Sequence, residues 1–225
     1  MKKIKICDIY INFVKRQNQK TIRLFVNKDN QITLSAPFFC SEKTAIDFAF
    51  KHQEWIKEKT SKTIQETTFH HKDIVSILGT NYKIIHKPNA PGYTTVEEDT
   101  LFIGGEEQFI HRKISTFAKK ELLKYIQEKA INMGKIIGKK PLKISLKNTT
   151  SRWGSCSSKG NLNFCWKIAF APLYVINYLI AHEVAHLKEM NHSQKFWETV
   201  ALFNTEQAKA EIWLRKNGKD LISIK

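Results

Sequence analysis

The chain has 225 residues, of which 42% are apolar and 26% charged, and it carries a net charge of +16. That composition suits a folded protein of one large or two modest domains with ample core. No run approaches the roughly 18 uninterrupted apolar residues of a membrane-spanning helix, and Asp8 and Lys15 break up any signal-like stretch after MKKIKICDIY. The expected protein is cytoplasmic, with no membrane partner.

From the N-terminus, IKICDIYINFV, TIRLFV and QITLSAP carry β-branched and apolar residues in partial alternation and predict strands, with NKDN at 27–30 as a turn. Ser41 is placed to cap one helix over EKTAIDFAFKHQEWIKEKT, where Ala45, Phe48, Ala49, His52 and Ile56 recur at helical spacing. DIVSILG and NYKIIHK predict two further strands around Gly79 and Thr80, PNAPGY a loop, and LFIGG a short strand. A long amphipathic helix is expected next over about 107–137, with Ile110, Ile114, Ala118, Leu122 and Ile126 on its apolar stripe. Beyond Pro141 the chain turns strand-rich, and SSKGN offers a hairpin because Gly160 and Asn161 suit positive φ. Pro172 then opens YVINYLIAHEVAHLKEM, apolar on nearly all sides before its histidines and therefore buried. Ser193 can cap a helix through Phe203, and Thr205 a last one through Lys216 that stops at Asn217-Gly218. No internal repeat is evident. The expected class is α+β: a β-rich region with one helix over 1–105, then a second domain over 106–225.

The charge is uneven. Residues 111–147 hold 11 basic and 2 acidic side chains, which suits either a solvated helix face or an anionic partner such as a nucleotide or nucleic acid. Lysines outnumber arginines 32 to 5, and arginine is the usual residue for forking a phosphate or reading a base. Cys7, Cys40, Cys156 and Cys165 form no C-x-x-C pair, so free thiols are expected.

The densest chemistry lies in HEVAHLKEMNH at 182–192. A helix advances about 100° per residue, so His182 and His186 project from one face a turn apart and can hold one tetrahedral ion. Glu183 points about 100° around the helix, beside the ion, where it can take a proton from water. His192 comes six residues after His186, beyond an expected helix break at Met190-Asn191; a left-handed Asn191 would swing it back as the third ligand. Glu206 and Glu211 are alternative third ligands. The remaining histidines, His52, His70, His71, His86 and His111, show no ligand spacing. Burying two histidines and a glutamate behind YVINYLIA without a partner costs several kcal/mol, and a metal ion removes that conflict.

TSRWGSCSSKGNLNFCWKIAFAP, leading into YLIAHEVAHLKEMNHSQKFW, resembles the YgjP-like zinc hydrolases, a family classed with the metallopeptidases and similar in its core to SprT-like proteases. The likeness is dense over about 148–200 and looser before it, where the His52 to Ile56 ending agrees. It implies a zincin-like domain in which His182, His186 and His192 ligate zinc and Glu183 is the general base. Glu189 stands where metzincins carry a turn glycine, and no methionine comes after His192, so that related group is rejected. Arg152 is a candidate anchor for a substrate carboxylate or phosphate, or for charge developing on the scissile group; Trp153 and Cys156 read as packing residues. Three functions are open at this point: a zinc metallopeptidase acting on peptides or proteins, a metal-dependent phosphoanhydride hydrolase acting on nucleotides, and a nucleic-acid-binding module with structural zinc.

Overall fold

The structure, a computed structural model, describes residues 2–27, 31–61, 67–204 and 206–224. It is mixed α and β and divides into two compact units, Met1–Gln65 and Glu66–Lys225. The division falls well before the expected boundary at 105. The reason is packing: the apolar residues of 74–104 join one core with those of the long helix and the histidine helix, while residues 4–56 close a separate core.

The first unit contains β1 (Lys2–Ile6), β2 (Ile9–Arg16), β3 (Arg23–Val26) and β4 (Ile32–Pro37), in the sheet order β1-β2-β4-β3. β1 and β2 form a hairpin whose turn residues, Cys7 and Asp8, both have positive φ (44° and 66°); that sense of turn matches the twist of the strands it joins. β2 and β4 run parallel, and β3 pairs antiparallel on the outer side of β4. Of the expected NKDN turn, residues 28–30 lie outside the described residues. Two helices cover the sheet, α1 (Glu42–Lys51) and α2 (Gln53–Ser61). Ser41 caps α1, its Oγ accepting the Thr44 N–H at 3.0 Å. The single expected helix is interrupted at His52, whose backbone leaves helical geometry at φ −108° and ψ 24°. Ala45, Ala49 and Ile56 pack with Ile4, Ile6, Phe13 and Leu34 of the sheet.

The second unit begins with β5 (Ile74–Ile77), β6 (Thr80–Lys87), β7 (Thr94–Glu97) and β8 (Thr100–Gly104), ordered β5-β6-β8-β7. Its pairings are antiparallel, parallel and antiparallel, as in the first sheet. The first hairpin again turns on two positive-φ residues, Leu78 (52°) and Gly79 (81°). Registers correspond: Ile77 pairs with Thr80 as Ile6 does with Ile9, and Ile84 with Leu101 as Phe13 does with Leu34. Buried Val75, Ile77, Ile84, Leu101 and Ile103 thus repeat Ile4, Ile6, Phe13, Leu34 and Ala36. The chain therefore does contain an internal structural repeat. The expectation of none fails because the copies conserve apolar alternation and topology more than residue identity.

After the repeat comes α3 (Ile110–Ile136), entered through a 3-10 turn at Glu107–Phe109. A third sheet, β9 (Lys143–Lys147), β10 (Gly154–Cys156) and β11 (Asn161–Cys165), has the order β10-β11-β9; β10 and β11 form the expected hairpin with Gly160 at φ 78°. Then come α4 (Leu173–Ala185), α5 (Gln194–Ala201) and α6 (Gln207–Ser223). α6 runs past the expected stop because Gly218 serves packing: a Cβ there would stand 3.0 Å from the indole of Trp153. Thr205, the expected cap, lies outside the described residues. Among the described residues no helix is long and apolar enough to cross a membrane, and the four cysteines are free thiols.

Candidate metal centre

α4 is buried on nearly every side, through Val175, Ile176, Leu179, Ile180, Ala181 and Val184, so the helix is fixed by packing before its polar residues are considered. His182 lies in its last turn and His186 at its C-cap. The backbone then tightens, with the Leu187 N–H on Val184 O and the Lys188 N–H on Ala185 O, each at 3.0 Å. This i to i−3 pattern ends the helix about a turn before the expected break. Among the described residues positive φ outside glycine occurs at Cys7, Asp8, Lys72, Leu78 and Glu98; Asn191 is not left-handed, and the tightened turn does the reversal instead. Ser193 is at the N-cap of α5 as expected, but its hydroxyl accepts no cap hydrogen bond.

The reversal brings the ligand nitrogens of His182, His186 and His192 within 4.8 Å of one another. The Nε2 atoms of His182 and His192 stand 3.2 Å apart. Two nitrogens each about 2.0–2.1 Å from a tetrahedral ion would stand about 3.3–3.4 Å apart, so this pair already has the spacing of shared coordination. His186 Nδ1 is 3.0 Å from Glu189 O, a bond that holds the proton on Nδ1 and leaves Nε2 bare. Burial, reinforced by the neighbouring imidazoles, pushes His182 down to about 4. Burial also lowers His186, against the opposing Glu189 bond. Both are thereby kept in the neutral form that binds metals. His182 Nδ1 is buried without a hydrogen-bond partner. The donor set, its spacing and its protonation fit a divalent ion such as zinc.

Glu183 is buried beside this cluster, and its Oε2 has no hydrogen-bond partner. Its carboxyl lies against strand β10 at Gly154. A Cβ on Gly154 would stand 2.7 Å from Glu183 Cγ and 2.8 Å from Cδ, and nearer still to Oε1, separations that no real Cβ tolerates. Only glycine leaves room for the acid there. Burial raises Glu183 to about 7, the Arg152 guanidinium opposing it. Cys156 is pushed up to about 11 by burial and then by the Glu183 charge, so it is a poor nucleophile at neutral pH. Every second residue of Arg152-Trp153-Gly154-Ser155-Cys156 therefore bears on Glu183: a cation, a void and a thiol.

Tyr178, a turn before His182 on α4, donates to Glu211 Oε1 at 2.8 Å, and Gln207 donates to the same oxygen at 3.0 Å. Glu211 stands outside the ligand group, its oxygen engaged by these two donors. Glu206 pairs with Lys209 at 2.8 Å. Phe196 and Trp197 of α5 wall the imidazoles, at 4.5 Å from His186 and 5.7 Å from His192 between ring centroids. Of the other histidines, His52 bonds Phe48 O, His86 bonds Gly105 O and His111 stacks on Phe69; among the described residues none joins a ligand group. Sequence reasoning missed Gly154, Tyr178, Phe196 and Trp197 as parts of the site. Only Phe196 and Trp197 left a trace, in the N-H-S-x-x-F-W run. Along the basic segment, Lys120, Lys124, Lys135, Lys139 and Lys140 are exposed, while Lys119 lies 4.2 Å from the Trp166 ring.

The family described as "YgjP-like, metallopeptidase domain" matches residues 20–217. No curated protein matches. Among solved structures the chain is similar to the metallopeptidase zymogen of Pyrococcus abyssi abylysin, at 25% identity and a TM-score of 0.36, over 42% of this chain and 93% of the other. The family match spans β3 and β4 of the first unit, Gly154 and all three clustered histidines, and the chain belongs to the YgjP-like metallopeptidases.

Proposed function

We propose that the protein is a zinc-dependent peptidase with a zincin-like catalytic centre, in which His182, His186 and His192 hold the ion and Glu183 is the general base. One observation carries this reading: three imidazoles converge beside a buried carboxyl whose second oxygen has no partner. A structural zinc site is closed by four protein ligands and needs no base; among the described residues this ligand group has three. Zinc, when bound, supplies a Lewis acid that polarises a scissile carbonyl and acidifies water.

The chain's own residues do the rest. Glu183, poised near neutrality, takes a proton from the attacking water as the oxygen–carbon bond forms. It returns that proton to the amine nitrogen as the carbon–nitrogen bond breaks. Arg152 is close enough to oppose the Glu183 shift, and its guanidinium steadies the carboxylate and the anionic charge that develops on the substrate. Phe196 and Trp197 keep the histidine side of the centre apolar.

The test compares zinc-loaded protein with its Glu183→Gln variant on an unfolded protein and on a set of nucleoside triphosphates. The expected result is proteolysis that vanishes in the variant while one zinc per chain remains. Triphosphate cleavage lost in the variant would replace the peptide bond with a phosphoanhydride as the substrate. Loss of zinc from the variant would remove Glu183 as base and make it a ligand.

A further inference from the structure

The internal repeat allows one copy to interpret the other. Phe102 pairs with Ile85 in the second sheet as Ser35 pairs with Val14 in the first, and Lys87 lies two residues beyond Ile85 as Arg16 lies beyond Val14. In the second copy these positions close on each other, with Lys87 Nζ 3.6 Å from the centroid of the Phe102 ring. In the first copy the aromatic residue is replaced by Ser35, and Arg16 and Ser35 instead line a cavity of about 620 Å³. That volume is in the range of ligand pockets.

The lining is selective. Arg23, Phe25, Phe48 and Trp55 also face the cavity, and among the described residues no acidic residue does. Two of the chain's five arginines meet here. Among the described residues neither is in an ion pair. A guanidinium forks a carboxylate well and also stacks on a ring. β3, which contributes Arg23, Leu24 and Phe25 to the lining, is the edge strand of its sheet, so its outer main chain can pair with an extended peptide.

We propose that this cavity is a docking site for a peptide segment that presents an aromatic side chain beside a carboxylate. The ring takes the position that Phe102 fills in the second copy, and the carboxylate bridges Arg16 and Arg23. A peptide fits better than a nucleotide because the sister position is filled by a side chain on a strand, and because a free strand edge borders the cavity.

The experiment is fluorescence anisotropy of a labelled hexapeptide carrying one phenylalanine and one aspartate, with the full chain bearing Glu183→Gln so that nothing is cleaved. Binding is expected, and it should weaken at least about tenfold in Ser35→Phe, which imports the plug of the second copy. A similar loss is expected in Arg16→Gln with Arg23→Gln, and when the peptide's phenylalanine becomes alanine or its aspartate asparagine. Ser35 is buried, so a melt must accompany that variant; Arg16 and Arg23 are exposed and test the site without burdening the fold. No binding, binding indifferent to the arginine changes, or displacement of the peptide by an equal concentration of a nucleoside monophosphate would overturn the proposal. The readout is binding alone, so it stands or falls apart from the peptidase reading.

Discussion

The two four-strand sheets share strand order, pairing sense and turn position, yet one closes on itself and the other becomes a wall of the core that holds the histidine cluster. The difference lies in the helices that succeed each sheet. In the first unit α1 and α2 are short and interrupted at His52, and Ala45, Ala49 and Ile56 suffice to cover four strands. In the second, α3 runs unbroken for 27 residues, and its stripe from Ile110 to Ala130 belongs to one core with α4 and the third sheet. The turns diverge likewise. Cys7 donates to Gln53 within the first unit, while Leu78 N–H bonds Ala169 O at 2.8 Å and Gly79 leaves 3.2 Å for a Cβ beside Leu173. A module's fate is thus set by the length and apolar stripe of the helix after it, not by its strands.

Matched deletions test this most severely. Leu34→Ala and Leu101→Ala remove the same side chain from equivalent, fully buried positions, and each should cost about 2–5 kcal/mol. Zinc affinity should fall only for Leu101→Ala, whose core is continuous with α4; an equal fall in both, measured by competition with a chromophoric chelator, would dissolve the distinction.

The units should also differ in pH dependence. Buried Asn12, Thr33 and Ser35 of the first unit do not titrate, whereas the second buries Glu183. A carboxyl raised from 4.5 to about 7 in the folded state binds more protons folded than unfolded between those values. Its burial is therefore least costly below pH 4.5, and its contribution is lost as pH rises from 4.5 through 7, by roughly 3 kcal/mol in the metal-free protein. His182, lowered to about 4 by burial, acts in the opposite sense between about 4 and 6.5. Glu183→Gln should abolish that loss in melts taken with chelator; an unchanged slope would show that the carboxyl is not the source.

The third sheet has no counterpart in the first unit, and Gly154→Ala probes it. Displacing the Glu183 carboxyl should lower kcat about a hundredfold, with KM and zinc content little changed. In a Glu183→Ala background the added methyl enters vacated space and should cost almost nothing in melting temperature, whereas an equal cost in both backgrounds would locate the strain in the strand itself. The smallest effect belongs to the turns: Asp8→Gly relieves positive φ at 66° and should stabilise the first unit by about 0.5 kcal/mol, read from its denaturant midpoint.

Much of this was legible in the sequence because it depends on local spacing. His182, Glu183 and His186 are ordered by helical pitch, Ser41 by its capping position, and Gly160 by its turn. The features that escaped depend on neighbours distant in sequence. Gly154 looks like any strand glycine until Glu183 packs on it, and Gly218 looks like a helix stop until Trp153 fills its face. β7 is the polar edge segment TTVE, mostly exposed, and offers no alternation to find. Cys7-Asp8 adopts a glycine-like turn with no glycine. The repeat was hidden because burial constrains polarity and size at Phe13 and Ile84, not identity.

His192 is exposed, while His182 and His186 are partly buried. In the proposed centre two ligands are therefore set when α4 folds, and the third arrives on a solvent-facing segment held by the tightened turn after Ala185. Such an arrangement works as a seat and a latch: the helix selects the ion and the segment decides how long it stays. Lengthening 189–192 by one residue should speed zinc release while leaving the helix and its two imidazoles where they are, so the expected release rate depends on a short loop as well as on the buried core.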